Sequence, residues 1–221
     1  MNEIVDAFHK LYYDNADRTW NSKSQTKWLG VPVWKCPLDL WIIQEIVFET
    51  RPDLVIEAGT AYGGSALFYA SLFDLIGNGE VITIDSNEPH YGITADVVAN
   101  RPRHSRITYL TGSSISQDII DQVSDKVESE KLSVMVDLDA CHNHGHVLLE
   151  LRSWSRLVTV NNYLIVEDSN VNGHPVAPDH GPGPWEAIED FLQENKDFQI
   201  DEVREKFYLT FNPRGYLKRI R

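Results

Sequence analysis

The apolar residues of the chain follow two periods. Short runs at 54–56, 81–84, 107–110, 132–136 and 163–166 have the length of buried strands. Between them apolar positions recur at helical spacing: Ala66, Tyr69, Ala70, Phe73 and Ile76; Ile119, Ile120 and Val123; Val147, Leu148, Leu151 and Trp154. Strand alternating with helix predicts an α/β architecture on a parallel sheet. Upstream, Ile4, Val5, Phe8, Leu11 and Tyr12 predict an amphipathic helix over 3–13, and a second helix over 38–50 ends at Arg51-Pro52. Residues 92–100 read as a short helix and 185–195 as a helix opened by Pro184. Residues 198–201 and 207–211 read as two closing strands. Two connectors break the pattern. Residues 17–35 carry Trp20, Trp28 and Trp34 among polar and turn residues, which suits a pocket wall or packing onto the core. Residues 169–184 are rich in Gly and Pro without a period, and a loop of that length suits a cover over a substrate.

The first strand runs into Glu57-Ala58-Gly59-Thr60-Ala61-Tyr62-Gly63-Gly64-Ser65, and a helix follows. Glycines at such a turn let a ligand approach the backbone. Their spacing matches neither the dinucleotide fingerprint nor the P-loop. An acid ahead of the glycines, with no Lys or Arg in the loop, suits a ligand carrying positive charge better than a polyphosphate, and S-adenosylmethionine fits that description. The other reading is a turn whose glycines serve close packing. Asp85 closes the second strand, where an acid can accept ribose hydroxyls, although it lies beyond the roughly 20-residue interval of the dinucleotide fold. An ordinary turn aspartate is the alternative. Gly112-Ser113-Ser114 closes the third strand, where an adenine ring would lie.

Composition narrows the class. A length of 221 residues with 42% hydrophobic residues suits one α/β domain. A formal charge of −13 argues against a broad nucleic-acid surface, which needs clustered Lys and Arg. Cys36 and Cys141 are too few for a disulfide scaffold and lack zinc spacing. No stretch has the length of a membrane span, and the N-terminus lacks the order of a signal peptide. A cytoplasmic protein without membrane insertion is expected.

Charge changes the picture at one edge. Parallel strands end on a common rim, and Glu57, Asp85, Asp139, Glu167 and Asp168 all fall there. Close carboxylates repel by roughly 1 kcal/mol or more per pair, which a divalent cation relieves. Oxygen ligands at Asp139, Glu167 and Asp168 suit magnesium, calcium or manganese better than zinc. His142, His144 and His146 compete for the role, since imidazole with carboxylate holds zinc or non-haem iron. Histidines just ahead of a helix also cap, hydrogen-bond or face water. His142 and Asp139 are the candidate bases.

Several stretches together resemble one family. They are Gly30-Val31-Pro32-Val33-Trp34-Lys35-Cys36-Pro37 through Trp41, Ile56-Glu57-Ala58-Gly59 through Gly63-Gly64-Ser65, His144-Gly145-His146-Val147-Leu148, Val166-Glu167-Asp168-Ser169-Asn170, and residues 181–187 and 206–213. From Trp28 onward the chain resembles the cephalosporin-hydroxylase family. Despite that label its members look like S-adenosylmethionine-dependent methyltransferases, some acting on hydroxyls in natural-product or glycolipid pathways. The resemblance implies a Rossmann-like class I methyltransferase fold at 51–221, with a seven-stranded, mostly parallel sheet and one antiparallel strand. A helical cap at 1–50 would complete one compact unit.

The cofactor would be held by Glu57, Gly59, Thr60, Gly63, Gly64, Ser65 and Asp85, with Ser113 and Asp137 nearby. The resemblance further implies a magnesium site, corresponding to Asp139, Glu167 and Asp168, with Asp137 as an alternative to Asp139 because Ala140-Cys141-His142 departs from the family's pattern. A metal there would bind and orient the acceptor hydroxyl, with Asp139 or His142 taking its proton.

Two other readings stay open: an iron-dependent hydroxylase built on two of the histidines and a carboxylate, and a non-catalytic protein that binds S-adenosylmethionine. The acceptor is a small molecule bearing a hydroxyl; Trp20, Trp28, Trp34, the 169–184 loop and Trp185 would wall a pocket for a sugar as readily as for a phenol. The amphipathic first helix suggests a homo-oligomer.

Overall fold

The structure is a computed structural model that describes residues 2–13, 26–88 and 93–221; Trp20 lies outside them. Helix α1 (Asn2–Tyr13) precedes a small hairpin, β1 (Lys27–Trp28) with β2 (Val31–Pro32), and then helix α2 (Pro37–Thr50). The main sheet contains β3 (Leu54–Ala58), β4 (Glu80–Asp85), β5 (Ile107–Thr111), β6 (Val134–Leu138), β7 (Tyr163–Val166), β8 (Phe198–Ile200) and β9 (Tyr216–Arg219). Its order is β5-β4-β3-β6-β7-β9-β8, with β9 antiparallel to both neighbours and the remaining pairings parallel. The expected seven-stranded sheet with one antiparallel strand is present.

Helices α3 (Gly64–Ile76), α4 (Ala95–Ala99), α5 (Gln117–Glu130), α6 (His144–Trp154) and α7 (Pro184–Glu194) complete the fold. Side chains alternate between the two faces of the sheet. Leu54, Ile56, Val134 and Val136 share one core with Ile120, Leu151, Trp154 and Ile188 of α5, α6 and α7. Val55, Val81, Met135 and Ile165 share the other with Ile43, Ile46, Tyr69 and Phe73 of α2 and α3. Strands covered on both faces explain the largely apolar runs in the sequence.

Residues 207–211 do not form the expected strand. Tyr208 has a φ of 64°, which a strand excludes. Leu209 and Phe211 pack instead with Cys36, Leu38, Tyr12 and Tyr13, and the Phe211 N–H donates to the Asp39 carboxylate at 2.8 Å rather than to a ladder. The closing antiparallel strand falls at β9. Helix α1 docks on this segment, with the His9 ring stacked 5.7 Å from Phe211 and Ile4, Phe8 and Leu11 left exposed.

Candidate active site at the sheet rim

The ladder continues past the strand ends. Asp139 N–H donates to the Ala58 carbonyl at 2.8 Å and Glu167 N–H to the Leu138 carbonyl at 3.0 Å, which aligns the tips of β3, β6 and β7. A Cβ on Gly59, whose φ is +98°, would lie 2.1 Å from the Asp139 carbonyl oxygen. Only glycine lets the first loop close on the end of β6 in this way. A Cβ on Gly64 would lie 2.1 Å from the Pro32 carbonyl oxygen, so the N-terminal hairpin sits directly on the start of α3. These two glycines serve close packing, whatever the loop binds.

The hairpin brings a residue to which the sequence reading attached no role. Trp28 donates to Ser71 Oγ at 3.0 Å and meets Phe68 edge-on, fixing the hairpin to α3. Lys35 then enters the rim with its side chain 1% exposed. Its Nζ lies 3.2 Å from Asp137 Oδ2, 2.9 Å from Asp139 Oδ2 and 3.0 Å from Glu167 Oε1. Burial alone would lower its pKa, but the three carboxylates outweigh burial and hold it well above the ordinary amine range. A lysine between Trp34 and Cys36, just ahead of an apolar helix, was the only signal in the sequence.

On the β3–β4 side, Glu57 is fully buried and accepts from Thr83 Oγ1 at 2.6 Å, and the Thr83 hydroxyl also pairs with Thr60 at 2.7 Å. Burial pushes the Glu57 carboxyl up to about 7, against the pull of Lys35. Glu57 is register-paired with Asp137, whose Oδ2 accepts from Tyr69 at 2.8 Å. Glu57 Oε1 and Asp137 Oδ1 are both buried without a hydrogen-bond partner. Asp85 accepts from Ala61 N–H at 3.0 Å, Asn87 N–H at 2.8 Å and Arg101 Nη2 at 3.0 Å. Arg101 also donates to the Ala61 carbonyl at 2.8 Å, another contact the sequence did not reveal. Ser65 is buried at the start of α3, Gly63 is its N-cap, and Ser113 is exposed beyond β5.

On the β6–β7 side, ligand atoms of Asp139, His142 and Asp168 lie within 4.8 Å of one another. His142 Nε2 is 3.2 Å from Asp168 Oδ2. Glu167 stands outside that set, turned to Lys35. Burial pushes Asp139 up to about 6 and Asp168 up to about 7, in both cases against Lys35, with Asp168 adding to the rise at Asp139. Burial lowers the pKa of His142, opposed by the Asp139 charge. The carboxylates of Asp139 and Asp168 offer the oxygen donors that fit magnesium or manganese, while the His142 imidazole beside them is a donor those ions do not need.

Residues 20–220 match the model of the Rhamnosyl O-methyltransferase/CmcI family. The chain belongs to this family. A rhamnosyl O-methyltransferase of Mycobacterium tuberculosis is 37% identical over 222 residues, covering 98% of this chain and 85% of the relative. One of Mycobacterium leprae is 37% identical over 221 residues, covering 99% and 91%. A solved CmcI structure in its Mg-SAM form aligns with a TM-score of 0.61 at 20% identity, over 95% of this chain and 83% of that chain. That likeness speaks for the fold. With the family come the class I methyltransferase architecture and S-adenosylmethionine-dependent methyl transfer.

In this member of the Rhamnosyl O-methyltransferase/CmcI family the three neighbouring histidines part company. His144 Nε2 pairs with Asp190 at 3.0 Å, while His146 Nε2 lies 3.2 Å from Ser114 Oγ and 3.4 Å from Glu150. Among the described residues, no site with two histidines and a carboxylate forms at the rim. The 169–184 loop packs beside the site: the Pro182 carbonyl accepts from His144 N–H at 3.3 Å, and Asn172 Nδ2 lies 3.5 Å from the His142 carbonyl. Trp185 is already engaged, with His174 stacked on it at 4.3 Å and Arg214 over its ring at 4.8 Å. Trp34 meets Tyr62 of the glycine loop edge-on at 5.2 Å. No described helix is long and apolar enough to cross a membrane.

Proposed function

We propose that this methyltransferase acts on a hydroxyl of a small, sugar-containing molecule with the help of a divalent metal held at Asp139 and Asp168. The observation that carries this reading is the convergence of Asp139, His142 and Asp168 to within 4.8 Å beside a glycine loop packed on the Asp139 carbonyl. The rhamnosyl names of the mycobacterial relatives support a deoxysugar as the acceptor class. The free thiols of Cys36 and Cys141 and the charge of −13 support a cytoplasmic enzyme without a nucleic-acid partner. The exposed apolar face of α1 supports self-association.

The buried, unpartnered oxygens of Glu57 and Asp137 fit a cofactor carrying positive charge, and Gly59 to Ser65 would lie along it. Thr60 fixes that loop through Thr83, and Asp85 and Ser113 stand where its nucleoside would reach. Bound S-adenosylmethionine supplies an electrophilic methyl group, and bound magnesium or manganese supplies Lewis acidity that lowers the acceptor's pKa. Burial lowers the pKa of His142, which favours the neutral ring that can receive the acceptor's proton, with Asp168 beside Nε2 to orient the ring and stabilise its charged form. Lys35 holds Asp139 from behind through Oδ2. The rim residues would hold the acceptor hydroxyl against the bound methyl donor, and positioning of that kind would supply much of the rate.

Incubation with methyl-labelled S-adenosylmethionine and a rhamnoside should yield S-adenosylhomocysteine and labelled sugar, with loss of turnover in EDTA and recovery on adding magnesium or manganese. Full turnover in EDTA would sink the metal. Oxygen uptake without S-adenosylhomocysteine would favour the hydroxylase, and cofactor binding without turnover on any acceptor would favour a non-catalytic role.

A further inference from the structure

Lys35 has no part as ligand or base in the reaction above, yet its ammonium sits among three carboxylates of the rim. It is held there by packing as well as charge, because the hairpin just ahead of it is anchored through Trp28 to α3 and lies against Gly64. With Nζ 2.9 Å from Asp139 Oδ2, that oxygen is engaged and the Asp139 carboxylate has one fixed orientation. Nζ also lies 3.0 Å from Glu167 Oε1, so the other acid of the strand-end pair faces the same ammonium. A fixed positive charge this close also repels an incoming cation.

We propose that Lys35 is a positioning residue that acts as the built-in cation of the acidic rim: it takes the place a second divalent ion would occupy, so that the centre binds one metal and binds it exchangeably. This rests on the reading of Asp139 and Asp168 as metal ligands. A lysine with only a structural role would stabilise the fold without affecting how the protein binds metal.

The test is a manganese titration, followed by the paramagnetic resonance signal of free Mn2+ at pH 8, with thermal unfolding measured in parallel with and without Mn2+. Wild type should bind one ion. Lys35→Met should bind a second ion or bind the first about tenfold more tightly, and its unfolding temperature should rise with Mn2+ far more than that of wild type. The double variant Lys35→Met with Glu167→Gln, which removes one carboxylate along with the ammonium, should return toward wild-type affinity. If Lys35→Met folds only with Mn2+ present, the proposal is supported; if neither variant folds even with Mn2+, it fails. One bound ion in wild type with unchanged affinity in Lys35→Met overturns the role of Lys35 and leaves the metal site standing. No bound ion in wild type overturns both.

Discussion

The two halves of the rim are built from the same material, acids at the ends of parallel strands, and end in different states. At β4, Asp85 spends its carboxylate on two backbone N–H groups and Arg101, all within 3.0 Å, so its charge is settled inside the fold. At β6 and β7, Asp139 and Asp168 converge with His142, and burial holds both carboxyls up, at about 6 and about 7. A settled acid is a rigid part of the wall. Converging acids that resist ionisation suit a cation, which is the proposed reading of this side. Strand-end acids alone therefore do not mark a candidate metal site; the convergence of several of them does, even where one, Asp139, is also bridged to Lys35 at 2.9 Å.

The largest effect should separate the halves outright. Asp139→Asn is expected to lower kcat/KM by roughly a thousandfold, the loss of several kcal/mol of metal-assisted stabilisation, while S-adenosylmethionine binding measured calorimetrically stays within a few-fold. Equal loss of cofactor binding would mean the halves are one site. Gly59→Ala strikes the joint between them. Its Cβ would lie 2.1 Å from the Asp139 carbonyl oxygen at a φ of +98°, and a cost of about 2–5 kcal/mol in urea unfolding is expected, with cofactor binding and turnover falling together.

A third effect is read in pH. Glu57, Asp139 and Asp168 all have folded pKa values raised above the unfolded carboxylate range by burial. The ligand-free fold thus retains protons that the unfolded chain releases, so the stability from these groups is complete below about pH 4 and lost as pH rises to about 7. Glu57→Gln should remove about 3 kcal/mol of that slope from the cofactor side. Saturating magnesium should remove the share of Asp139 and Asp168, by replacing their protons. A slope unchanged by magnesium would count against ligation there.

The smallest effect belongs to the settled half. Arg101→Gln should weaken S-adenosylmethionine binding about tenfold by loosening Asp85 and the Ala61 carbonyl, with kcat nearly unchanged. An equal fall in kcat would show that this side also orients the reacting methyl.

Much of this was legible along the chain. Strands buried on both faces are largely apolar, and in a parallel sheet their polar ends share an edge, so Glu57, Asp85, Asp139, Glu167 and Asp168 could be placed on one rim from the sequence. The strand expected at 207–211 was not legible, because its apolar residues answer to α1 and to Asp39, not to a sheet neighbour. Nor was the parting of His142, His144 and His146, since each turns to a partner on a different element.

The sequence by itself determined the alternation of strand and helix, the acidic rim and the glycine turn, because local periodicity and chain direction suffice for these. Only the tertiary structure decided how the rim's charge is shared. Lys35 and Asp139 are 104 positions apart, and no local pattern announces that a hairpin seated on Gly64 will set the Lys35 ammonium against the Asp139 carboxylate. Coulomb energy depends on distance in space, and distance in space is set by packing.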